Sequence, residues 1–187
     1  MNFIEIDFNN EKHISYIFQL SKRNKFYLND IYSWLYSKNE KSSFNSWNLY
    51  YLNNNNPNII KFPYWKGLLC ILDKKVIGFI IYYERHYIND IGNFLSIEFM
   101  LIDKLYQRNG YGNLIIEYLK DKYNDKNYIS VCIEKINKYI DFYKNIGFIE
   151  VSKSNNNLCS KHYKEFSSFI ERNDFSWLYL INKKYKD

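Results

Sequence analysis

The stretch that most constrains the fold of this chain is residues 97–123, which read IEFMLIDKLYQRNGYGNLIIEYLKDKY. Residues 97–102 are apolar except for Glu98, and such a short apolar run predicts a strand. The second half predicts a helix, because apolar residues recur there at helical spacing, at Tyr111, Leu114, Ile115, Tyr118 and Leu119. Gly110 and Gly112 lie where the strand gives way to the helix. The chain is therefore expected to place a glycine turn between a buried strand and an amphipathic helix.

The turn between this strand and this helix is a candidate phosphate site. Glycine permits positive φ and lets another molecule approach the main chain closely. The first turn of a helix offers unpaired N–H groups and the positive end of the helix dipole to an anion. Residues 107–112 read QRNGYG, which matches neither G-x-G-x-x-G nor G-x-x-x-x-G-K-[ST]. A plain tight turn is the alternative interpretation of so short a motif.

A second segment, residues 137–148, reads NKYIDFYKNIGF and predicts a helix followed by a strand. Gly147 stands where a left-handed C-cap is expected, and Phe148 would open the strand. Apolar residues at i, i+3, i+4 and i+7 predict one helix face, formed by Ile136, Tyr139, Ile140 and Tyr143. Together with Q-x-x-G-x-G, this segment resembles the signature motifs of the GNAT superfamily of acetyl-CoA-dependent N-acetyltransferases. The resemblance is sharp over residues 95–151 and loose elsewhere.

The resemblance implies an α+β (mixed α/β) fold, with residues 1–187 forming a single N-acetyltransferase domain. It implies a twisted mixed sheet of about seven strands flanked by about four helices, in the order β-α-α-β-β-β-α-β-α-β-β. The patterns elsewhere agree, with a first helix capped by Asn9 or Asn10 and a second helix from Asp30. Strands are predicted at residues 3–8, 65–72, 76–84, 97–102, 128–133, 148–152 and 174–182.

Composition sets limits on the partners of the chain. The net charge is +6, from 26 Lys and Arg against 20 Asp and Glu, but the basic residues are dispersed. Nucleic-acid binding is therefore not favoured, whereas a modest positive field would steer the polyanionic coenzyme A toward its site. No apolar run is long enough to span a membrane, and the first residues lack a basic region followed by an apolar one, so neither a membrane span nor a signal peptide is expected. We expect no membrane partner, and a monomer or a homodimer.

The three cysteines, Cys70, Cys132 and Cys159, show no C-x-x-C spacing. They indicate reduced thiols in a cytoplasmic or nuclear compartment, and neither a disulfide framework nor a metal site is expected. Cys132 could be a nucleophile, but a strand cysteine is more often a small buried hydrophobe, which is the interpretation we favour. The histidines are expected at the surface or in packing roles: His13, His86 and His162.

The resemblance also assigns residues to acetyl-CoA, the acetyl donor. The pantetheine arm would pair with the end of the central strand, commonly next to a β-bulge, and the diphosphate would meet main-chain N–H groups of the turn. Asn137 matches an asparagine that contacts the cofactor, although it could equally be an N-cap. The full set of cofactor-binding candidates is Met100, Leu101, Ile102, Gln107, Arg108, Asn109, Gly110, Tyr111, Gly112, Asn113, Asn137 and Tyr143.

Two residues are candidate catalytic groups. The attacking amine, with a pKa of about 10.4 if it is lysine-like, must lose a proton. Glu98 matches a position where some family members have a general base, and its alternative is a solvated or ion-paired strand residue. Tyr143 matches the tyrosine that protonates the leaving thiolate in many members, and its alternative is packing within its own helix.

The acceptor is the least constrained part of the function. The two motifs are most similar to those of acetyltransferases acting on protein lysines. Residues 162–182 are loosely similar to enzymes that act on protein amino termini. A protein amine is therefore slightly favoured. The alternatives are a small amine, such as a polyamine or an amino sugar, and a catalytically inactive acyl-CoA-binding module.

Overall fold

The computed structural model describes residues 1–26, 65–86, 93–126, 128–134, 139–150 and 175–181. The expected helix from Asp30, together with Asn137, Cys159 and His162, lies outside these residues. The described helices are α1 (Glu11–Asn24), α2 (Tyr111–Lys122), α3 (Ile140–Asn145) and a 3-10 turn (Lys104–Tyr106). The strands are β1 (Asn2–Glu5), β2 (Trp65–Leu72), β3 (Lys75–His86), β4 (Asn93–Ile102), β5 (Tyr128–Glu134), β6 (Ile149–Glu150) and β7 (Phe175–Ile181).

These strands form one sheet in the order β1-β2-β3-β4-β5-β7-β6. All neighbouring strands are antiparallel except β4 and β5, which are parallel because α2 crosses between them. The prediction of a seven-stranded mixed sheet is confirmed. The parallel pair in the middle is the one place where two strand ends can diverge at the same edge.

Helices cover both faces of the sheet, so the sheet has two apolar cores. On one face, residues of the central strands pack against α2 and α3, with Ile80, Leu95, Ile115, Leu119 and Tyr143 among them. On the other face, α1 packs against the sheet through Ile17 and Leu20. β4 contributes to both cores, with Leu95 in one and Leu101 in the other, and is therefore an interior strand of the domain.

The N-terminal strand is shorter than the predicted strand over residues 3–8, since β1 ends at Glu5. Asn10 caps α1 as predicted, with its Oδ1 accepting the N–H groups of Lys12 at 3.0 Å and His13 at 3.4 Å. Ile6 is buried in the core with α1, whereas Ile4 is 46% exposed. Ile4 belongs to β1, the edge strand of the sheet, and is not part of the core that Ile6 forms with α1.

The β2–β3 hairpin turns without a glycine. Asp73 and Lys74 adopt φ values of 48° and 65°, and positive φ at both central residues is the geometry of a type I′ turn. Residues other than glycine adopt this geometry only at some cost, so the paired strands on either side must stabilise it. The hairpin places β3 beside β4, where the candidate site begins.

Candidate active site

A β-bulge lies at Glu98. Ile81 of β3 pairs with Phe99 and its neighbour Tyr82 pairs with Ile97, so Glu98 is the extra residue of β4. The bulge also reverses the alternation of side chains along β4. Ile97 faces the core with α2 and α3, whereas Phe99 faces the core with α1. Glu98 is exposed at this change of phase, and the bulge expected near the cofactor edge is confirmed.

The parallel strands β4 and β5 separate just beyond the same point. Their last paired residues are Ile97 and Val131, yet β4 continues to Ile102 and β5 to Glu134. Across this gap, no ladder joins the two strands within the described part of the chain. The main chain of Met100 and Leu101 therefore forms an open strand edge inside the sheet, which an extended, amide-containing ligand could join.

A cleft of about 960 Å³ extends from this opening to the glycine turn before α2. A volume of this size lies within the range of ligand pockets. The cleft brings most of the predicted site residues together: Glu98, Met100, Leu101, Ile102, Gln107, Arg108, Gly110, Tyr111, Gly112, Asn113 and Tyr143. Asn109 does not line it, and Asn137 lies outside the described residues.

The turn at the far end of the cleft has the geometry of an open cradle. Gly110 is the N-cap of α2, with φ of 79°, and a Cβ placed on it would meet no atom within 4 Å. The first main-chain bond of α2 runs from the Leu114 N–H to the Gly110 carbonyl at 3.2 Å. The N–H groups of residues 111–113 precede that bond, so they are the orphan donors of a helix start.

The second glycine, Gly112, also has a packing role, and its predicted contact with the cofactor stays a prediction. A Cβ on Gly112 would lie 2.8 Å from Cζ of Phe142, which is closer than real contacts allow. The missing side chain of Gly112 therefore lets α3 pack against the start of α2. The sequence interpretation had assigned both glycines to the approach of a ligand, and in the described structure the space beside Gly110 alone is open.

Two amide side chains stiffen the turn from within. Gln107 Nε2 donates to the Ile102 carbonyl at 2.7 Å, which ties the turn to the end of β4. Asn109 Nδ2 donates to the carbonyls of Tyr106 at 3.3 Å and Gln107 at 3.1 Å. Both side chains act here on the protein's own main chain, and their predicted contact with the cofactor stays a prediction.

Tyr143 lies in α3 and is 5% exposed, at the wall of the cleft. Its ring packs edge-to-face against Phe142 and Phe148, with centroids 5.0 and 5.2 Å away. Burial raises the pKa of its hydroxyl above the usual value. No hydrogen bond joins that hydroxyl to another residue within the described ranges. At neutral pH it is therefore a protonated donor at the cleft wall.

Two sequence interpretations near the cleft were wrong. Cys132 was expected to be buried, but it is exposed and lines the cleft, because it follows Val131, the last β5 residue paired with β4. Tyr139 was expected on the buried helix face with Tyr143, but α3 begins one residue later and Tyr139 is 40% exposed. Gly147, with φ of 97°, does follow α3 as predicted.

Sequence patterns also missed a residue of the cleft. Phe26 lines it and packs edge-to-face on Phe79, with centroids 6.3 Å apart. Lys25, with φ of 53°, turns the chain at the end of α1 and so directs Phe26 toward the sheet. No motif marks this residue, because its position depends on how α1 packs against distant strands.

A sequence profile described as "Acetyltransferase (GNAT) family" matches residues 28–148. The chain belongs to the GNAT family of acetyltransferases. A comparison with functionally characterised protein sequences gave no significant match. Within the described helices of this GNAT domain, none has the length and apolar character needed to cross a membrane.

Solved structures confirm the GNAT fold over the whole chain. Tetrahymena GCN5 has a TM-score of 0.61 at 15% identity, covering 100% of this chain and 99% of that one. The matched chain of a NatC complex bound to Gag peptide and CoA has a TM-score of 0.55 at 17% identity, covering 97% and 99%. An aminoglycoside 6′-N-acetyltransferase complexed with coenzyme A has a TM-score of 0.52 at 12% identity, covering 97% of each chain. At such identities the likeness establishes the fold of this GNAT domain and nothing finer.

Proposed function

We propose that this GNAT domain transfers the acetyl group of acetyl-CoA directly to a primary amine, with a protein lysine or amino terminus as the leading acceptor class. The observation that carries the proposal is the separation of β4 from β5 after Ile97 and Val131. It opens a strand edge, a carboxylate and a buried tyrosine onto one cleft that ends at a helix start. Each of these features suits one part of the reaction.

The residues present fit acetyl-CoA. The open edge at Met100 and Leu101 would hold the pantetheine arm through main-chain hydrogen bonds. The N–H groups that begin α2 would hold the diphosphate, and the open space at Gly110 leaves room for it. When bound, acetyl-CoA supplies a thioester whose acetyl carbon is open to attack by an amine.

Glu98 would serve as the general base. A primary amine is almost fully protonated at neutral pH and cannot attack until it loses a proton. The bulge removes Glu98 from the regular alternation of β4 and exposes its carboxylate in the cleft, where it can accept that proton directly or through water. Its exposure also makes it accessible to an acceptor arriving from solvent.

Tyr143 would stabilise the leaving thiolate. Because burial raises the pKa of its hydroxyl, the group stays protonated at neutral pH. It can therefore donate a hydrogen bond to the leaving sulfur and stabilise the charge that develops there, while the conjugate thiol, with an ordinary pKa of about 8.5, is the stronger acid of the two. The neighbouring rings of Phe142 and Phe148 fix the orientation of the tyrosine and keep water from its flank.

The acceptor class rests on the sequence motifs together with one structural neighbour. The NatC complex, similar in fold over nearly the whole chain, was solved with a peptide and CoA. The aminoglycoside acetyltransferase shows that the same fold also carries small-amine chemistry. A protein amine is our proposal, and a small amine is the outcome that would replace it.

An acceptor screen tests the proposal. Release of free thiol from acetyl-CoA would be followed with lysine peptides, peptides with free amino termini, polyamines, amino sugars and aminoglycosides. We expect turnover with a peptide amine, and mass spectrometry should show one acetyl group added at nitrogen. Turnover with small amines alone would reassign the acceptor. Binding of acetyl-CoA without turnover on any amine would leave an acyl-CoA-binding module.

A further inference from the structure

The turn that carries the proposed diphosphate cradle begins at Asp103, directly after β4. Asp103 is 1% exposed, and each of its polar groups is engaged. Its N–H donates to the Ile77 carbonyl at 2.8 Å, and its own carbonyl accepts the Tyr106 N–H at 2.7 Å. Its carboxylate accepts the Leu105 N–H at 3.3 Å, which caps the 3-10 turn.

The charge of this buried carboxylate is balanced from α1. The guanidinium group of Arg23, in the last turn of α1, forms an ion pair with Asp103. The pair is one-sided in burial, since the Arg23 side chain is 56% exposed and that of Asp103 is 2% exposed. Loss of the arginine would therefore leave a buried charge with only neutral partners, which is costly.

A hydrogen bond between the next residue of α1, Asn24, and the next residue of the turn, Lys104, joins the same two elements. Oδ1 of Asn24 accepts the Lys104 N–H at 2.9 Å, while Nδ2 donates to the Leu20 carbonyl of α1 at 2.8 Å. Asn24 is 7% exposed, so both bonds are shielded from water. Two consecutive residues of α1 thus hold two consecutive residues of the turn.

The other hydrogen bonds within the turn, so far as the structure describes them, are local. Gln107 and Asn109 bond to carbonyls between residues 102 and 107. Such bonds preserve the shape of the turn but do not fix it relative to the rest of the domain. Its place in the domain is set by the pairing of β4 with β3, by the packing of α2 against the sheet and α3, and by the contacts from α1.

We propose that Arg23 and Asn24 are positioning residues for the nucleotide end of the donor. By holding Asp103 and Lys104 they fix the course of the main chain into the Gly110 turn, and with it the direction of the N–H groups that begin α2. A preorganised cradle binds an anion without the entropic cost of ordering a mobile turn. The inference rests on the proposed function, because it needs acetyl-CoA to bind in this cleft.

The test compares two donors that share the thioester and differ at the nucleotide. S-acetylpantetheine lacks the diphosphate, so it does not use the cradle, whereas acetyl-CoA does. For Arg23→Gln we expect the Kd for acetyl-CoA to rise about tenfold, the equivalent of one charge-assisted hydrogen bond. The kcat at saturating acetyl-CoA, and kcat/KM with S-acetylpantetheine, should stay at the wild-type values.

The matched control is Lys22→Gln. Lys22 is an exposed cation in the same last turn, and within the described contacts its side chain does not touch Asp103. Lys22→Gln should change neither the Kd for acetyl-CoA nor kcat/KM with S-acetylpantetheine. This control separates positioning from a general loss of positive charge. Arg23→Lys should recover part of the affinity, and Asn24→Leu should repeat the loss through the second bond. Thermal unfolding of every variant identifies those that fold. If Arg23→Gln does not fold, the acetyl-CoA affinities of Arg23→Lys and Asn24→Leu test the inference instead.

Three results would overturn the inference. One is wild-type affinity for acetyl-CoA in folded Arg23→Gln and Asn24→Leu. Another is an equal loss with both donors, which would indicate a general disturbance of the cleft. A third is an equal loss in Lys22→Gln, which would indicate charge alone. If wild-type protein itself fails to bind acetyl-CoA, the proposed function fails with it, and that result is distinct from the other three.

Discussion

The two ends of α2 differ in whether the protein itself supplies partners for the polar groups there. At the C-terminal end the hydroxyls of Tyr82 and Tyr123 share a hydrogen bond at 3.0 Å, and Lys122 pairs with Glu5 of β1. At the N-terminal end Gly110 provides no side-chain cap, and residues 110–113 line the cleft. We call the first the closed end and the second the open end of α2, and binding of a ligand at the open end is our proposal.

The two ends also differ in the exposure of a nearby carboxylate. Beside the closed end, the Glu84 carboxylate is 19% exposed and pairs with Lys126 at 2.7 Å and with Lys66. Beside the open end, Glu98 is exposed at a bulge and lines the cleft. Substitutions at the open end should therefore change binding or rate, whereas substitutions at the closed end should change stability. The predictions below test this division, beginning with the largest expected effect.

Gly110→Val should remove ligand binding at the open end. A saturating ligand at a hundredfold excess over its Kd stabilises a protein by about 2.7 kcal/mol, and we expect acetyl-CoA to stabilise the wild-type protein by that amount. The variant should lose this shift, because a β-branched side chain would fill the space beside the cradle and strain a residue with φ of 79°. Thermal unfolding with and without acetyl-CoA measures both effects.

Gly147→Val is the control for backbone strain. Gly147 also has positive φ, 97°, but it does not line the cleft. Gly147→Val should destabilise the protein, but acetyl-CoA should still raise its unfolding temperature. An intact shift in Gly110→Val would mean that the cradle is not where the diphosphate binds.

Glu98→Gln should lower kcat by a factor of roughly 10² with little change in acetyl-CoA affinity, because it removes the proposed general base and keeps the shape of the side chain. Glu117→Gln is the control, since Glu117 lies on the exposed face of α2 and pairs with Lys120 at 2.7 Å. Steady-state rates over a range of pH provide the measurement. Unchanged turnover at every pH would remove Glu98 from the mechanism.

Tyr143→Phe separates catalysis from packing on one residue. Phenylalanine keeps the ring contacts with Phe142 and Phe148 and removes only the hydroxyl. We expect stability and acetyl-CoA affinity near wild type and a fall in thiol release of at least tenfold, about 1.4 kcal/mol in the barrier. The rate must be measured with a saturating good acceptor. Full activity there would make Tyr143 a core residue, and the thiolate would leave unaided.

The open end was largely predictable because its signal is local. The strand, turn and helix of residues 97–122 follow from apolar periodicity and two glycines, and the structure confirms them. Periodicity could not separate the two glycines, since the ring that occupies the space beside Gly112 belongs to Phe142, in a different helix. The resemblance led us to expect a bulge near the cofactor edge, but its position at Glu98 was visible only from the pairing of β4 with β3.

Long-range partners account for what the sequence left out. The ion pair of Arg23 with Asp103 and the Tyr82–Tyr123 hydrogen bond each join elements far apart in the chain. No spacing rule connects such residues. The strand of Cys132 was predicted correctly, but the exposure of this residue was not. The exposure depends on where β4 separates from β5, which is also set by long-range pairing.

The smallest expected effect lies at the closed end and depends on pH. Burial alone would raise the pKa of Glu84, but hydrogen bonds from Lys126 and Lys66 outweigh it and hold the pKa below the ordinary value of 4.5. The folded state thus binds fewer protons than the unfolded chain. The ionised Glu84 carboxylate therefore stabilises the fold at pH values above its ordinary pKa. This stabilisation is lost as the pH falls through the lowered pKa of the folded state.

Glu84→Gln should therefore be less stable than wild type at pH 7, and the difference should shrink progressively as pH falls below about 4.5. Unfolding midpoints of both proteins over that range provide the measurement. The shift with acetyl-CoA at pH 7 should be the same in both, because Glu84 lies beside the opposite end of α2 from the cleft. A stability difference that does not vary with pH would mean that the charge of Glu84 contributes nothing. A reduced shift with acetyl-CoA would mean that the two ends of α2 are not independent.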